Sequence, residues 1–199
     1  DTEGKQWEVS GSVLASQNGN ASFSIEVLDL AGNKGSPVTA TDDNTSVVLD
    51  TTIPTLSGIT LVSTNANDSQ AFAKPGDNIT LSFNSSEPIQ IPSITLADND
   101  SLRVHDTSSN QDGTSWKAVY TVTAGEEERD TTFSIDFKDI AGNKGMSKDQ
   151  TVVTNTIKID TSIPTLSVVS LSGGTNTLAN EGDVVTLSFT GSEKLRNPL

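Results

Sequence analysis

Apolar and polar residues alternate with a period of two along most of this chain. Leu81 and Phe83 alternate with Thr80 and Ser82, and Phe133, Ile135 and Phe137 alternate with Ser134 and Asp136. A strand with one face in a core and one face in water requires this period. No window carries a sustained 3.6-residue period, because Gly, Pro, Asn or Asp interrupts each candidate. The alternating runs predict seven strands, at Leu56–Ser63, 78–83, 91–96, 101–105, 115–122, 132–137 and 150–159. Leu81, Phe83, Tyr120, Phe133, Ile135 and Ile159 are the expected core.

The pattern repeats. Asp29-Leu30-Ala31-Gly32-Asn33-Lys34-Gly35 returns 110 residues later as Asp139-Ile140-Ala141-Gly142-Asn143-Lys144-Gly145. Asp50-Thr51-Thr52-Ile53-Pro54-Thr55-Leu56-Ser57 returns at the same offset as Asp160-Thr161-Ser162-Ile163-Pro164-Thr165-Leu166-Ser167. Gly76-Asp77, Thr80-Leu81-Ser82-Phe83 and Ser86-Glu87 return 106 residues later as Gly182-Asp183, Thr186-Leu187-Ser188-Phe189 and Ser192-Glu193. Collinear matches of this number define a structural repeat. Residues 51–160 read as one complete unit, 1–50 as the back part of a preceding unit and 161–199 as the front part of a following one.

Seven short strands in about 110 residues, with no helix, predict an all-β fold of tandem immunoglobulin-like β-sandwich repeats. The order Pro-Thr, Gly-Asp, Leu-Ser-Phe with Ser-Glu-Pro-Ile, then Asp-Ile-Ala-Gly-Asn resembles the bacterial Ig-like tandem repeats of large surface proteins and adhesins. The resemblance covers the whole chain and implies stalk, filament or adhesin roles without catalysis. The polar segment 98–115 departs from that pattern and suggests an elaborated loop region.

Composition narrows the function classes. The net charge is −14 and the pI about 4.2, which disfavours nucleic acid and anionic lipid as partners and suits calcium, a cation that takes oxygen ligands. Acidity also serves solubility alone. The chain has no cysteine and one histidine, His105, so no thiol or Ser-His-Asp nucleophile system assembles. No apolar run reaches the roughly 18 residues of a membrane span. The expected protein is therefore not an enzyme but an extracellular or cell-surface spacer. Its expected partners are neighbouring repeats of its own chain and other copies in a filament. The alternative is an adhesive module whose loops, 98–115 among them, bind a receptor or glycan.

Individual motifs carry competing readings. Trp7 and Trp116 share one repeat position and read as core or cap residues rather than a sugar platform. Glu126-Glu127-Glu128 and Asp130 read as solvated turn charges. The six Asn-X-Ser/Thr sequons, at Asn20, Asn44, Asn67, Asn78, Asn84 and Asn99, are no real enrichment over chance. Gly142 and Asn143 are explained by a tight turn in which Asp139 accepts backbone N–H groups. A calcium ion is the sharper alternative, and it follows from topology. In an immunoglobulin-like sandwich the loop after the second strand and the loop after the sixth share one end, and the preceding linker enters there. That brings Asp50 near Glu87 and Asp139. The second junction repeats the set with Asp160 and Glu193, its third acid lying beyond residue 199, and Asp29 belongs to a junction before residue 1. No other cofactor is expected.

Overall fold

The computed structural model describes residue 4 and residues 6–66, 71–98, 112–173 and 178–196, with 103–106 as backbone. Its strands are β1 (Gly19–Asn20), β2 (Val48–Leu49), β3 (Leu56–Ser63), β4 (Phe72–Ala73), β5 (Asn78–Ser85), β6 (Ser93–Leu96) and β7 (Arg103–Asp106). They continue as β8 (Ser115–Thr121), β9 (Arg129–Asp130), β10 (Phe133–Asp136), β11 (Lys148–Asp149), β12 (Lys158–Ile159), β13 (Leu166–Gly173) and β14 (Val185–Gly191). The fold is all-β. The predicted sites Asn67 and Asn99, the side chain of His105 and most of segment 98–115 lie outside the described residues.

A four-stranded sheet runs β3-β5-β8-β7, a three-stranded sheet runs β11-β10-β6, and a small sheet runs β4-β12-β9. All share one buried cluster, an arrangement compatible with a β-sandwich. Ile79, Leu81 and Phe83 of β5 are buried while Thr80 and Ser82 are half-buried, as the alternation predicts. Phe133 and Ile135 of β10 close the core from the other sheet, and Ile157 and Ile159 seal its end. Each such side chain contributes about 1.5–3 kcal/mol by leaving water. Tyr120 is only half-buried, because its hydroxyl reaches the carboxylate of Glu126.

Several features depart from expectation, the unpredicted short strands β4 and β9 among them. The strand predicted at 91–96 begins at Ser93, since Pro92 has no N–H to donate to a ladder. The strand predicted at 150–159 is broken. β11 pairs with β10, a 3-10 turn follows at Gln150–Val152, and β12 joins the other small sheet. The Asp149 carboxylate accepts the Thr151 N–H at 3.0 Å and turns the chain there. Trp116 is buried with its indole N–H on the Gly113 carbonyl at 2.9 Å, but Trp7 is 85% exposed. Trp7 keeps the equivalent bond, to the Gly4 carbonyl at 3.2 Å, yet residues 6–14 form no strand and join no sheet.

Candidate metal centre

Three segments meet beyond the ends of β5 and β10. The loop after β10 closes on Asp139, whose Oδ1 accepts the N–H groups of Gly142 and Asn143 at 2.6 and 2.8 Å. Its Oδ2 accepts Asn143 Nδ2 at 2.7 Å. Gly142 has φ +101°, a conformation that costs a side-chain-bearing residue about 1–2 kcal/mol. Gly145 lies so close to the Phe137 ring that a Cβ would sit 2.2 Å from Cε2. The loop is thus specified by the repeated motif itself. The Asp29 copy makes the same bonds to its asparagine, with Oδ1 accepting Asn33 N–H at 2.7 Å and Oδ2 accepting Asn33 Nδ2 at 2.7 Å, while its Oδ1 also accepts the Ala31 N–H at 2.9 Å.

Glu87 follows β5. Ser86 fixes its approach, donating its N–H to the Thr55 carbonyl at 2.9 Å while its Oγ accepts the Thr55 N–H at 3.0 Å. Asp50 lies in the linker, its Oδ1 accepting the Thr52 N–H at 2.9 Å. Asn143 Nδ2 also donates to the Asp50 carbonyl at 3.1 Å, and Gln90 Nε2 to the Asp139 carbonyl at 2.9 Å. Linker and loops are therefore bonded into one constellation.

Asp50, Glu87 and Asp139 each present a carboxylate oxygen, and the three oxygens lie within 4.8 Å of one another. That distance is what two ligands span across one ion at bond lengths of about 2.3–2.6 Å. Asp139 is buried and the other two are half-buried. Burial pushes the Glu87 carboxyl above its ordinary range, and the charges of Asp50 and Asp139 push it further. Glu87 Oε1 is buried with no hydrogen-bond partner among the described residues. Two unit charges about 4 Å apart repel by ~1 kcal/mol in water and ~4 kcal/mol near a protein surface. Three hard oxygen donors with an orphaned buried oxygen fit a divalent cation with calcium's ligand preferences.

No known family model, curated protein or solved structure matches this chain. The site is therefore read from its own geometry.

Of the six acids singled out in the sequence, these three converge. Asp160 and Glu193 line a common cavity of about 830 Å³ at the second junction, beside Lys74, Lys158 and Lys194. Glu193 Oε1 is likewise buried without a hydrogen-bond partner among the described residues. The linker clamp recurs there, with Thr165 N–H on Ser192 Oγ at 2.9 Å and Ser192 N–H on the Thr165 carbonyl at 2.8 Å. Asp29 is exposed and joins no metal-ligating cluster among the described residues.

Two roles escaped the sequence reading. Asn143 bridges the linker to the loop, whereas the sequence marked it only as a turn residue. The acidic turn at 126–130 is not merely solvated. Glu126 accepts from Tyr120 and from both the backbone and hydroxyl of Thr123, and it lies 3.8 Å from Arg129. Burial raises its carboxyl, but these bonds and the Arg129 charge outweigh burial and hold it below its ordinary range. Glu128 Oε1 accepts the Ser162 N–H at 3.1 Å, and Thr161 Oγ1 donates to the Glu126 carbonyl at 2.9 Å. The turn thereby grips the second linker. It reaches that linker because β9 pairs antiparallel with β12, the strand that leads into it, a pairing between residues about 30 apart in sequence.

Proposed function

We propose that this chain is a non-catalytic spacer segment of a large extracellular surface protein, built from tandem immunoglobulin-like repeats and stiffened by calcium at the junctions. The carrying observation is the convergence of Asp50, from a linker, with Glu87 and Asp139, from two loops of the unit that follows it. A cation held by linker and loops together restricts swing between units, which is what a stalk requires. The recurrence of the same linker clamp at both junctions supports a repeating architecture. The bacterial Ig-like resemblance and the acidic surface support a location outside the cell. Among the described residues no helix is long and apolar enough to cross a membrane.

The test is thermal unfolding of the chain in calcium and in chelator. A ligand at 100 times its Kd stabilises by about 2.7 kcal/mol, so calcium raises Tm by roughly 10 °C for a domain of this size. Glu87→Gln and Asp50→Asn each reduce that rise. Equal melting temperatures in calcium and chelator overturn the metal reading.

A further inference from the structure

Each linker is gripped by the unit it leaves, and one repeat position makes the grip at both junctions. β1 pairs with β2 in the register in which β9 pairs with β12, Gly19 opposite Leu49 as Arg129 is opposite Ile159. The next bond recurs too, from Ala21 N–H to the Val47 carbonyl at 2.8 Å and from Thr131 N–H to the Ile157 carbonyl at 2.7 Å. In an antiparallel ladder the residue before one partner lies opposite the residue after the other. Register therefore brings Asn18 to the start of the first linker and its repeat equivalent Glu128 to the start of the second.

Both side chains turn an oxygen to the linker. Asn18 Oδ1 accepts the Thr51 N–H at 2.7 Å, with the Thr51 and Thr52 hydroxyls each 3.4 Å away. Glu128 Oε1 accepts the Ser162 N–H at 3.1 Å, and Lys158 Nζ lies 3.9 Å from Glu128 Oε2. The residue changes from amide to carboxylate between the copies, yet the bond accepted from a linker N–H is kept. The second of these grips is made by the complete unit.

At the first junction the grip continues into the metal centre. Thr52 N–H is bonded to Asp50 Oδ1 at 2.9 Å, and the Asp50 carbonyl accepts Asn143 Nδ2 at 3.1 Å. The same Nδ2 donates to Asp139 Oδ2 at 2.7 Å. Residues 50–52 are thus tied to Asn18 on one side and to the Asp139 loop on the other. Of the three converging carboxylates, Glu87 and Asp139 are carried by the 51–160 unit, and Asp50 stands in the linker ahead of it. A linker residue held at one side only would sample many side-chain and backbone directions, and fixing them costs entropy.

We propose that Asn18 is a positioning residue of the metal centre: it holds Thr51 and Thr52 from the preceding unit and so aims the Asp50 carboxylate at Glu87 and Asp139. Asn18 is not itself a ligand, since its Oδ1 is committed to the linker. The centre is then assembled by two units rather than one. Its effect on a bound cation rests on the calcium reading, but its hold on Asp50 does not, and the two are measured separately.

The experiment compares the full chain with Asn18→Ala and with Asn18→Asp, which keeps an acceptor oxygen at the same reach. Amide hydrogen exchange in chelator, followed by NMR, reads the hold. Asn18→Ala speeds exchange roughly fivefold at Thr51 and at Thr52, the latter bonded to Asp50, which is the worth of about one net hydrogen bond. Asn18→Asp leaves both rates near those of the unaltered chain. Exchange at Gly142 and Asn143 is the same in all three, because the Asp139 loop is built by the following unit. Calorimetric titration with calcium reads the consequence. Asn18→Ala binds roughly tenfold more weakly or worse, as expected when a group that orients a metal ligand is lost. Unchanged Thr52 exchange in Asn18→Ala overturns the proposal, and so does a calcium affinity equal to that of the unaltered chain. If the unaltered chain takes up no calcium, the calcium reading fails, and Thr52 exchange alone decides whether Asn18 holds Asp50.

Discussion

Gly145→Ala isolates the packing that holds the Asp139 loop in place. A Cβ at position 145 would lie 2.2, 2.3 and 2.9 Å from Cε2, Cζ and Cδ2 of Phe137. Neither side has room to yield. The Phe137 ring is buried in the core, and the Gly145 N–H is bonded to the Phe137 carbonyl at 3.1 Å. Overpacking of this kind costs about 1–3 kcal/mol, and with the loop bond also strained we expect about 3 kcal/mol. Gly142→Ala in the same loop is the control. Space around it is open, so its cost is the φ of +101° alone, about 1–2 kcal/mol. Urea unfolding followed by Trp116 fluorescence measures both. Phe137→Leu should recover part of the Gly145→Ala loss, since a smaller side chain admits the methyl group. Equal costs at the two glycines, or no rescue by Phe137→Leu, would refute the packing argument.

Two predictions concern pH and have opposite signs. The Glu87 carboxyl is raised in the fold, so its contribution to stability is fully present below the ordinary value of 4.5 and is lost as pH rises through the folded value. In chelator, Glu87→Gln should therefore abolish part of the fall in stability between mildly acidic and neutral pH, and an unchanged slope by calorimetry counts against the cluster. The Glu126 carboxyl is lowered, so its contribution is present above 4.5 and is lost as pH falls through the folded value. Glu126→Gln should cost about 1–2 kcal/mol at neutral pH and less under strongly acidic conditions, since the charge-assisted bonds from Tyr120 and Thr123 are weakened. A chemical denaturation series across pH measures the difference, and a cost that does not change with pH contradicts this account.

Much of the fold is legible in the sequence because its determinants are local. Period-two alternation located β5, β8 and β10 within a few residues, and Leu81, Phe83, Phe133, Ile135 and Ile159 are buried as the pattern requires. The interruption at Gln150 was not visible, since it depends on one Asp149 carboxylate competing for a backbone N–H. The candidate site was legible as residue types and spacing. Asp50, Glu87 and Asp139 were expected together from strand topology, and their oxygens lie within 4.8 Å.

The loops at Asp29 and Asp139 show where local information ends. They share a motif, a glycine with positive φ and the same asparagine-to-aspartate bonds, because seven identical or similar residues dictate their turn chemistry. One carboxylate is exposed and the other is buried against two more acids. Leu81 and Leu187 differ in the same way. The sequence by itself determined the repeated turns and the main alternating strands, since these follow from neighbours a few positions away. Whether an acid gains a carboxylate neighbour, or a leucine loses its water, was decided by segments tens of residues distant. Burial and electrostatic repulsion belong to the assembled surfaces, and only the tertiary structure brings those surfaces together.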